Sequence, residues 1–379
     1  MLTKEENDLL TQTGPGTPCG DFMRRYWQPV ALAEELPEGG SPVAVRLLGE
    51  DLVLFRDGQG QVGLLSRWCS HRGTDLSFGA AEERGLRCSY HGWLYDVAGH
   101  CLEQPLEPPD STFCEEIQHR AYLCQENAGL VFAYLGPDAP PLLPAYEFLG
   151  VPSEQRRSTK YFLECNYLQG SEGSLDPMQR WFFENVFGRE GEPAYAQDEP
   201  KLDVKPEVTD FGVRLATARA DAPRDSTSEL RSFMLPSLCA IPAIGMTGYT
   251  VHWHVPIDDT HHWRYVTTFR RDDRLSDEDA TRNGIEPVEE YRLTNLWDRE
   301  AMQRSFVVFS TAMAVSQGTI FDRTQENLQD SDGGIVAMRD IVHRGIQDVQ
   351  EGADPPHIVR DPAANDFQHI VVGKVSPDG

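Results

Sequence analysis

The chain has 379 residues, 40% of them hydrophobic and 25% charged, and carries a formal net charge of −26. That length allows two domains with sizeable cores, and no apolar run approaches the length of a membrane span. So acidic a surface repels nucleic acid and anionic membrane, so neither is an expected partner. The start, Met1 to Asp8, lacks the basic and apolar regions of a secretory signal. The eight cysteines follow no regular disulfide spacing. A cytoplasmic location is the expectation.

Residues 1–41 read as an N-terminal segment that packs on the body. A short amphipathic start gives way to Thr13-Gly-Pro-Gly-Thr-Pro18, a turn cluster that forbids continuous helix. Trp27 reads as a buried anchor. Residues 42–141 have β texture: Val43–Gly49 and Leu52–Arg56 are β-rich runs punctuated by Asp57-Gly58, Gly60 and Gly63, as hairpins require. Gly129–Gly136 closes this run, and Pro137-Asp-Ala-Pro-Pro-Leu-Leu-Pro144 is a stiff boundary. Residues 142–379 read as a second, larger domain. In it Asp176 is placed to cap a helix that begins at Pro177. Residues 200–272 return to β character, including Tyr249–Pro256 and Trp263–Phe269. Ile335, Met338, Val342, Ile346 and Val349 then repeat at helical spacing, with Asp332 and Gly352 as caps.

The chemistry-bearing stretch lies in the first domain. Cys69-Ser-His71 is followed, after sixteen residues, by Cys88-Ser-Tyr-His91. Two thiolates and two imidazoles in matched pairs suit a [2Fe-2S] cluster, with Cys69 and Cys88 on one iron and His71 and His91 on the other. Neutral imidazoles in place of two thiolates raise the reduction potential and favour a one-electron relay. Zinc takes the same ligand types, but zinc fingers usually pair Cys with Cys and His with His along the chain. Two buried thiols beside two core histidines would leave the double pairing unexplained. Gly73 and Gly92, each close behind a histidine, would let the loop backbone approach the cluster. Backbone N–H groups aimed at the sulfurs would then tune it.

With its flanks, Cys69-Ser-His-Arg-Gly73 and Cys88-Ser-Tyr-His-Gly-Trp-Leu-Tyr-Asp96, the motif resembles the Rieske non-haem iron oxygenases. Trp27-Gln-Pro-Val30, Leu47–Arg56, Pro256–His261, Ser316–Arg323 and Glu326-Asn-Leu328 resemble the phthalate-dioxygenase-like branch, over nearly the whole chain. The resemblance implies an α+β protein: an all-β Rieske [2Fe-2S] domain and a larger catalytic-type domain, a helix-grip antiparallel sheet with helices. It also implies a head-to-tail trimer in which the cluster of one subunit feeds the catalytic iron of the next.

Family members hold that iron with two histidines and a carboxylate, which leaves open positions for oxygen. The pattern is N-x5-E-G, then D-x-x-H-x4-H, with the third ligand several residues before Ser-Gln-Gly. Here Asn166, Glu172-Gly173 and Asp176 are in place, but the ligand positions hold Gln179, Glu184 and Ser310. Mononuclear Fe(II) is therefore not expected on this chain. Trp181, Phe182 and Phe183 are candidates to fill the vacated space. His252 and His254, two apart on an apparent strand, face one side of the sheet; they read as pocket or core residues, or with Glu184 as a relocated ligand set. His261 and His262 read as structural. Asp176 is a helix cap or an inter-subunit electron bridge.

Three functions remain. The chain is an electron-relaying subunit that serves a paralogous iron-bearing oxygenase subunit in a trimer or hexamer, for hydroxylation or dealkylation of a small aromatic substrate with O2. Alternatively it is a structural or regulatory pseudoenzyme, or an oxygenase with relocated ligands. Electrons must come from a separate NAD(P)H-dependent reductase or ferredoxin, since no dinucleotide fingerprint is present.

Overall fold

β-rich segments in the first third of the chain and mixed segments in the rest fold into separate units. The computed structural model describes residues 1–187, 202–219, 228–286, 289–367, 370 and 372–375. The chain divides into residues 24–140 and residues 1–23 with 141–379. No described helix is long and apolar enough to cross a membrane.

The smaller unit is β throughout, apart from short 3-10 turns. Its strands are β1 (Trp27–Leu32), β2 (Val43–Leu47), β3 (Glu50–Arg56), β4 (Val62–Ser66), β5 (Ala80–Glu82), β6 (Gly85–Arg87), β7 (Leu94–Tyr95), β8 (Cys101–Glu103), β9 (Ala121–Asn127) and β10 (Leu130–Tyr134). Six form an antiparallel sheet in the order β1-β10-β9-β4-β3-β2, and β5-β6-β7-β8 form a second sheet. Two hairpins turn through two residues of positive φ, Leu48-Gly49 and Ala128-Gly129. That geometry matches the twist of paired strands.

Strand β1 moves the boundary expected at residue 41. Trp27–Leu32 pair antiparallel with β10, so residues 24–41 belong to the β unit and only 1–23 join the larger one. Pro29 hid this strand: it has no N–H to donate, and the register shifts between Pro29 and Ala31 to absorb it. Trp27 is buried as expected, its ring 5.8 Å from that of Tyr134.

The larger unit contains α1 (Lys4–Thr11), α2 (Pro18–Met23), α3 (Glu147–Gly150), β11 (Arg156–Leu163), α4 (Tyr167–Leu175), α5 (Pro177–Phe182), β12 (Leu202–Val208), β13 (Gly212–Arg219), β14 (Ser228–Met234), β15 (Leu238–Pro242), β16 (Gly248–Pro256), β17 (His262–Arg270), α6 (Asp277–Arg282), α7 (Arg299–Arg304), α8 (Phe306–Ser316), α9 (Gly333–Gln350) and β18 (Gly373–Val375). An antiparallel sheet runs β11-β17-β16-β15-β14-β13-β12, with β18 beside β14. Helix α4 lies on β15 and β16, and α9 on β12 and β13. The whole is α+β, as expected. Within the β-rich stretch read at 200–272, residues 200, 201 and 220–227 lie outside the described residues. The apolar stripe of α9 buries Met338, Val342 and Ile346, and Gly352 ends it at φ +82°. Asp332 stands at the N-cap position of α9 as expected, but its carboxylate accepts the N–H of Gln329 and none from the helix.

Helix α4 is buried along almost its full length although it carries Gln169, Ser171, Glu172 and Ser174. Each of these polar groups is therefore answered. Gln169 donates to the carbonyls of Ala314 and Gly318. Glu172 accepts two bonds from Arg323, both 2.8 Å, and one of 2.7 Å from Arg339. Arg339 in turn takes both oxygens of Glu326, at 2.5 and 2.9 Å. Two carboxylates and two guanidiniums thus neutralise one another out of water.

Burial pushes the Glu172 carboxyl up, but Arg323 and Arg339 outweigh it and hold the group below its ordinary 4.5. Its contribution to stability is complete above pH 4.5 and is lost as pH falls through the depressed folded value. Arg339→Met, which strands Glu326 and halves the pairing of Glu172, is expected to cost about 3–5 kcal/mol in chemical unfolding at pH 7. The difference from the parent should shrink on acidification below about pH 4.

Candidate functional site

The four cluster residues sit on two loops built alike. The first follows β4 and the second joins β6 to β7. In each, the cysteine N–H donates to the carbonyl five residues on (Cys69 to Thr74, 2.9 Å; Cys88 to Trp93, 2.8 Å). In each, a glycine N–H returns to the cysteine carbonyl (Gly73, 2.8 Å; Gly92, 3.1 Å). Gly73 and Gly92 adopt φ of +69° and +76°, which an L-residue with a Cβ resists. An arginine closes the base of each loop. Arg67 holds Asp75 at 2.5 Å, and with Ser77 it pulls that carboxyl down to about 2. Arg87 donates to the carbonyl of Gly92 while paired with Glu82 and Glu103.

Cys69 and Cys88 are buried in the apolar core of this unit with Trp93 and Tyr95. The rings of His71 and His91 stand 4.5 Å apart, edge to face, and His71 stacks on Trp93 at 4.6 Å. His91 Nδ1 is buried with no hydrogen-bond partner, a lone pair suited to a metal. Burial raises the Cys88 thiol, against a lowering pull from the backbone N–H groups of Tyr90 and His91. The Tyr95 hydroxyl lies 3.2 Å from Cys69 Sγ. Among the described residues no three His, Cys, Asp or Glu side chains converge on one metal position. A [2Fe-2S] cluster asks for only two protein ligands per iron, so this donor set fits it.

In the larger unit, Asn166 caps α4 by accepting the N–H of Leu168 at 3.0 Å. Asp176 ends α4 and caps α5, accepting the N–H of Met178 at 2.7 Å, with Pro177 first in the helix. Burial raises its carboxyl. Gln179 presents a buried Oε1 with no partner. Glu184 lies in a π turn, half-exposed, and is paired with Arg180 at 2.8 Å. Ser310, on α8, accepts from Arg264 at 3.3 Å. Of the three aromatics after Arg180, only Phe183 packs between these segments, its ring 5.3 Å from those of Phe306 and Phe309. Phe182 is exposed, and Trp181 borders a cavity.

His252 and His254 do share a face, and Ser174 bridges them at 3.0 and 2.9 Å. His254 Nδ1 meets His262 Nε2 at 3.0 Å, and His262 Nδ1 donates to the carbonyl of Cys165 at 2.7 Å. Both ring nitrogens of His254 are therefore committed, which leaves it no lone pair for iron. Burial keeps His262 neutral, down to about 3, and holds His252 and His254 well below the ordinary imidazole range. Gly170 is needed here, since a Cβ would come within 2.4 Å of His254. Ser174 and Arg264 escaped the reading of the sequence, whereas His262, read as structural, is bonded within this buried network. The alternation His252, His254 on one strand and His262, Arg264 on the next was visible. The register that sets His254 against Arg264 was not.

Residues 26–120 match the Rieske [2Fe-2S] domain family. The chain is 37% identical to the 5,5'-dehydrodivanillate O-demethylase oxygenase subunit of Sphingobium sp. over 96% of its own length and 85% of that protein's. It is also 37% identical to the phthalate 4,5-dioxygenase oxygenase subunit of Pseudomonas putida, over 93% and 88%. The terminal oxygenase of carbazole 1,9a-dioxygenase from Nocardioides aromaticivorans IC177 shares the fold, with a TM-score of 0.62 at 20% identity over 89% of this chain and 99% of that one.

With iron bound and the sulfurs ligated as thiolates, only Tyr95 can donate in the contact with Cys69. Such a bond stabilises the reduced, more negative cluster. Tyr95→Phe is expected to lower the reduction potential, measured by EPR-monitored titration, and to leave the iron content unchanged.

Proposed function

The chain belongs to the oxygenase-subunit family of the Rieske oxygenases, and from that membership we propose that it relays electrons without holding a mononuclear iron of its own. The chemistry at the three family ligand positions carries this reading. Gln179 and Ser310 are weak neutral oxygen donors. Two of the three positions also stand beside a cation, Glu184 beside Arg180 and Ser310 beside Arg264. A guanidinium within hydrogen-bond reach repels a ferrous ion.

Cys69, His71, Cys88 and His91 hold the [2Fe-2S] cluster. When bound, that group supplies one-electron transfer from a separate NAD(P)H-dependent reductase or ferredoxin to the iron of a paralogous oxygenase subunit in a trimer or hexamer. Trp68, Tyr90 and Phe113 are exposed around the histidine edge; they form an apolar rim suited to an adjoining subunit. Asp176 serves as a positioning residue that receives a hydrogen bond from a neighbour's cluster histidine, in addition to capping α5. The partner hydroxylates or dealkylates a small aromatic substrate with O2. The relatives support this class, one being named as an O-demethylase of dehydrodivanillate and another as a phthalate dioxygenase.

Cys69→Ala in this chain alone, assembled with its iron-bearing paralogue, is expected to abolish turnover measured as substrate-dependent oxygen uptake. Native gels must show the assembly intact. Full turnover by the intact assembly would mean that the chain only braces its partner.

A further inference from the structure

His119, just before β9, is 2% exposed and takes no part in holding the cluster. Its backbone is clamped from both sides. The His119 N–H donates to the Gly99 carbonyl at 2.7 Å, and the neighbouring Arg120 carbonyl accepts the N–H of Ser66 at 2.8 Å. The first clamp has no slack, since a Cβ at Gly99 would come within 2.1 Å of the His119 carbonyl oxygen. The imidazole therefore starts from a fixed point.

Nε2 of that ring lies 2.8 Å from the carbonyl of Ser66, at the end of β4. A carbonyl only accepts, so Nε2 carries the proton. Burial lowers the imidazole and keeps it neutral. Nδ1, 2.7 Å from Ser70 Oγ, then accepts from that hydroxyl. The ring also lies against Tyr95, with centroids 4.7 Å apart and planes at 33°. Both residues held in this way meet Cys69: Ser70 follows it in the chain, and the Tyr95 hydroxyl is 3.2 Å from its sulfur.

We propose that His119 is a positioning residue for the [2Fe-2S] cluster: anchored on Ser66, it fixes Ser70 and the Tyr95 ring together and so holds the phenol O–H on the Cys69 sulfur. This rests on the reading that Cys69 is a cluster ligand. The two ends of that contact need a common anchor. Cys69 follows β4 of the six-stranded sheet, whereas Tyr95 ends β7 of the four-stranded one. A hydrogen bond weakens steeply as it is bent, so a small slip between the sheets would loosen it. His119 touches both sides, through Ser66 and Ser70 on one and Tyr95 on the other. A donor to a ligating sulfur favours the reduced cluster, so the residue that aims the donor sets the potential without touching iron or sulfur.

EPR-monitored redox titration of the cluster-loaded chain tests this as a double-mutant cycle. His119→Leu is expected to shift the reduction potential down, in the direction of Tyr95→Phe and no further than that variant. In the Tyr95→Phe background the same substitution should leave the potential unmoved, because the bond through which it acts is gone. A residue that merely fills the core would lower the melting temperature in both backgrounds and leave the potential alone. An unmoved potential in His119→Leu, or equal shifts in the two backgrounds, would overturn the proposal. Should His119→Leu fail to fold, His119→Gln is read in the same way; it keeps a donor for the Ser66 carbonyl but loses the flat ring against Tyr95. Iron analysis and the EPR signal of the parent separate the two readings. Two irons per chain and a Rieske signal with additive shifts remove only the positioning role, whereas a parent without that signal removes the cluster on which it rests.

Discussion

A carboxylate buried on the central helix of the larger unit sets the terms for everything around it. Glu172 cannot lie out of water without counter-charge, so Arg323, from the segment after α8, and Arg339, on α9, must both reach it. Arg323 also donates to Asn7 on α1, and Arg339 carries Glu326 with it. One charged side chain thereby fixes how α1, α4, α9 and the post-α8 segment meet. The motif pieces Glu172-Gly173, Asp322-Arg323 and Glu326-Asn327 are distant in sequence and are one object in space. The helix so fixed delivers Ser174 to the histidines of β16 and ends at Asp176, the cap of α5.

The smaller unit solves a different problem by repetition. Two loops with the same pair of backbone bonds and the same positive-φ glycine bring a cysteine into the core and a histidine to its edge. Each is braced by an arginine that works through a carboxylate on a neighbouring strand or turn. The thiols lie among Trp93, Tyr95 and Leu86, where low polarity strengthens the contact of the Tyr95 hydroxyl with Cys69 Sγ. The same loops leave Trp68 and Tyr90 in solvent beside the histidines. Burial of the sulfurs and exposure of the histidine edge suit the proposed exchange of electrons with another protein.

Features set by short-range chemistry were legible in the sequence. The paired Cys and His spacing, the Asp176-Pro177 helix start and the stripe of α9 each depend on residues a few positions apart. Strand β1 was missed because Pro29 reads as a break and its bulge depends on β10. The N-cap position of Asp332 was legible too, but not that its carboxylate would take a rival donor, the N–H of Gln329, on the preceding turn. The unfamiliar residues at 179, 184 and 310 were visible as departures, but their surroundings were not. That Ser310 carries a guanidinium follows from β17 lying under α8, a long-range pairing that no local pattern encodes.

The central claim is that this chain holds a two-iron cluster and no catalytic iron. Elemental iron analysis of the purified chain expressed alone, with EPR after dithionite reduction and again after reconstitution with ferrous iron, tests it most directly. The account predicts about two irons per chain, a Rieske-type signal and no further uptake of iron on reconstitution. About three irons per chain would contradict it, and would make Gln179, Glu184 and Ser310, or groups near them, a working ferrous site.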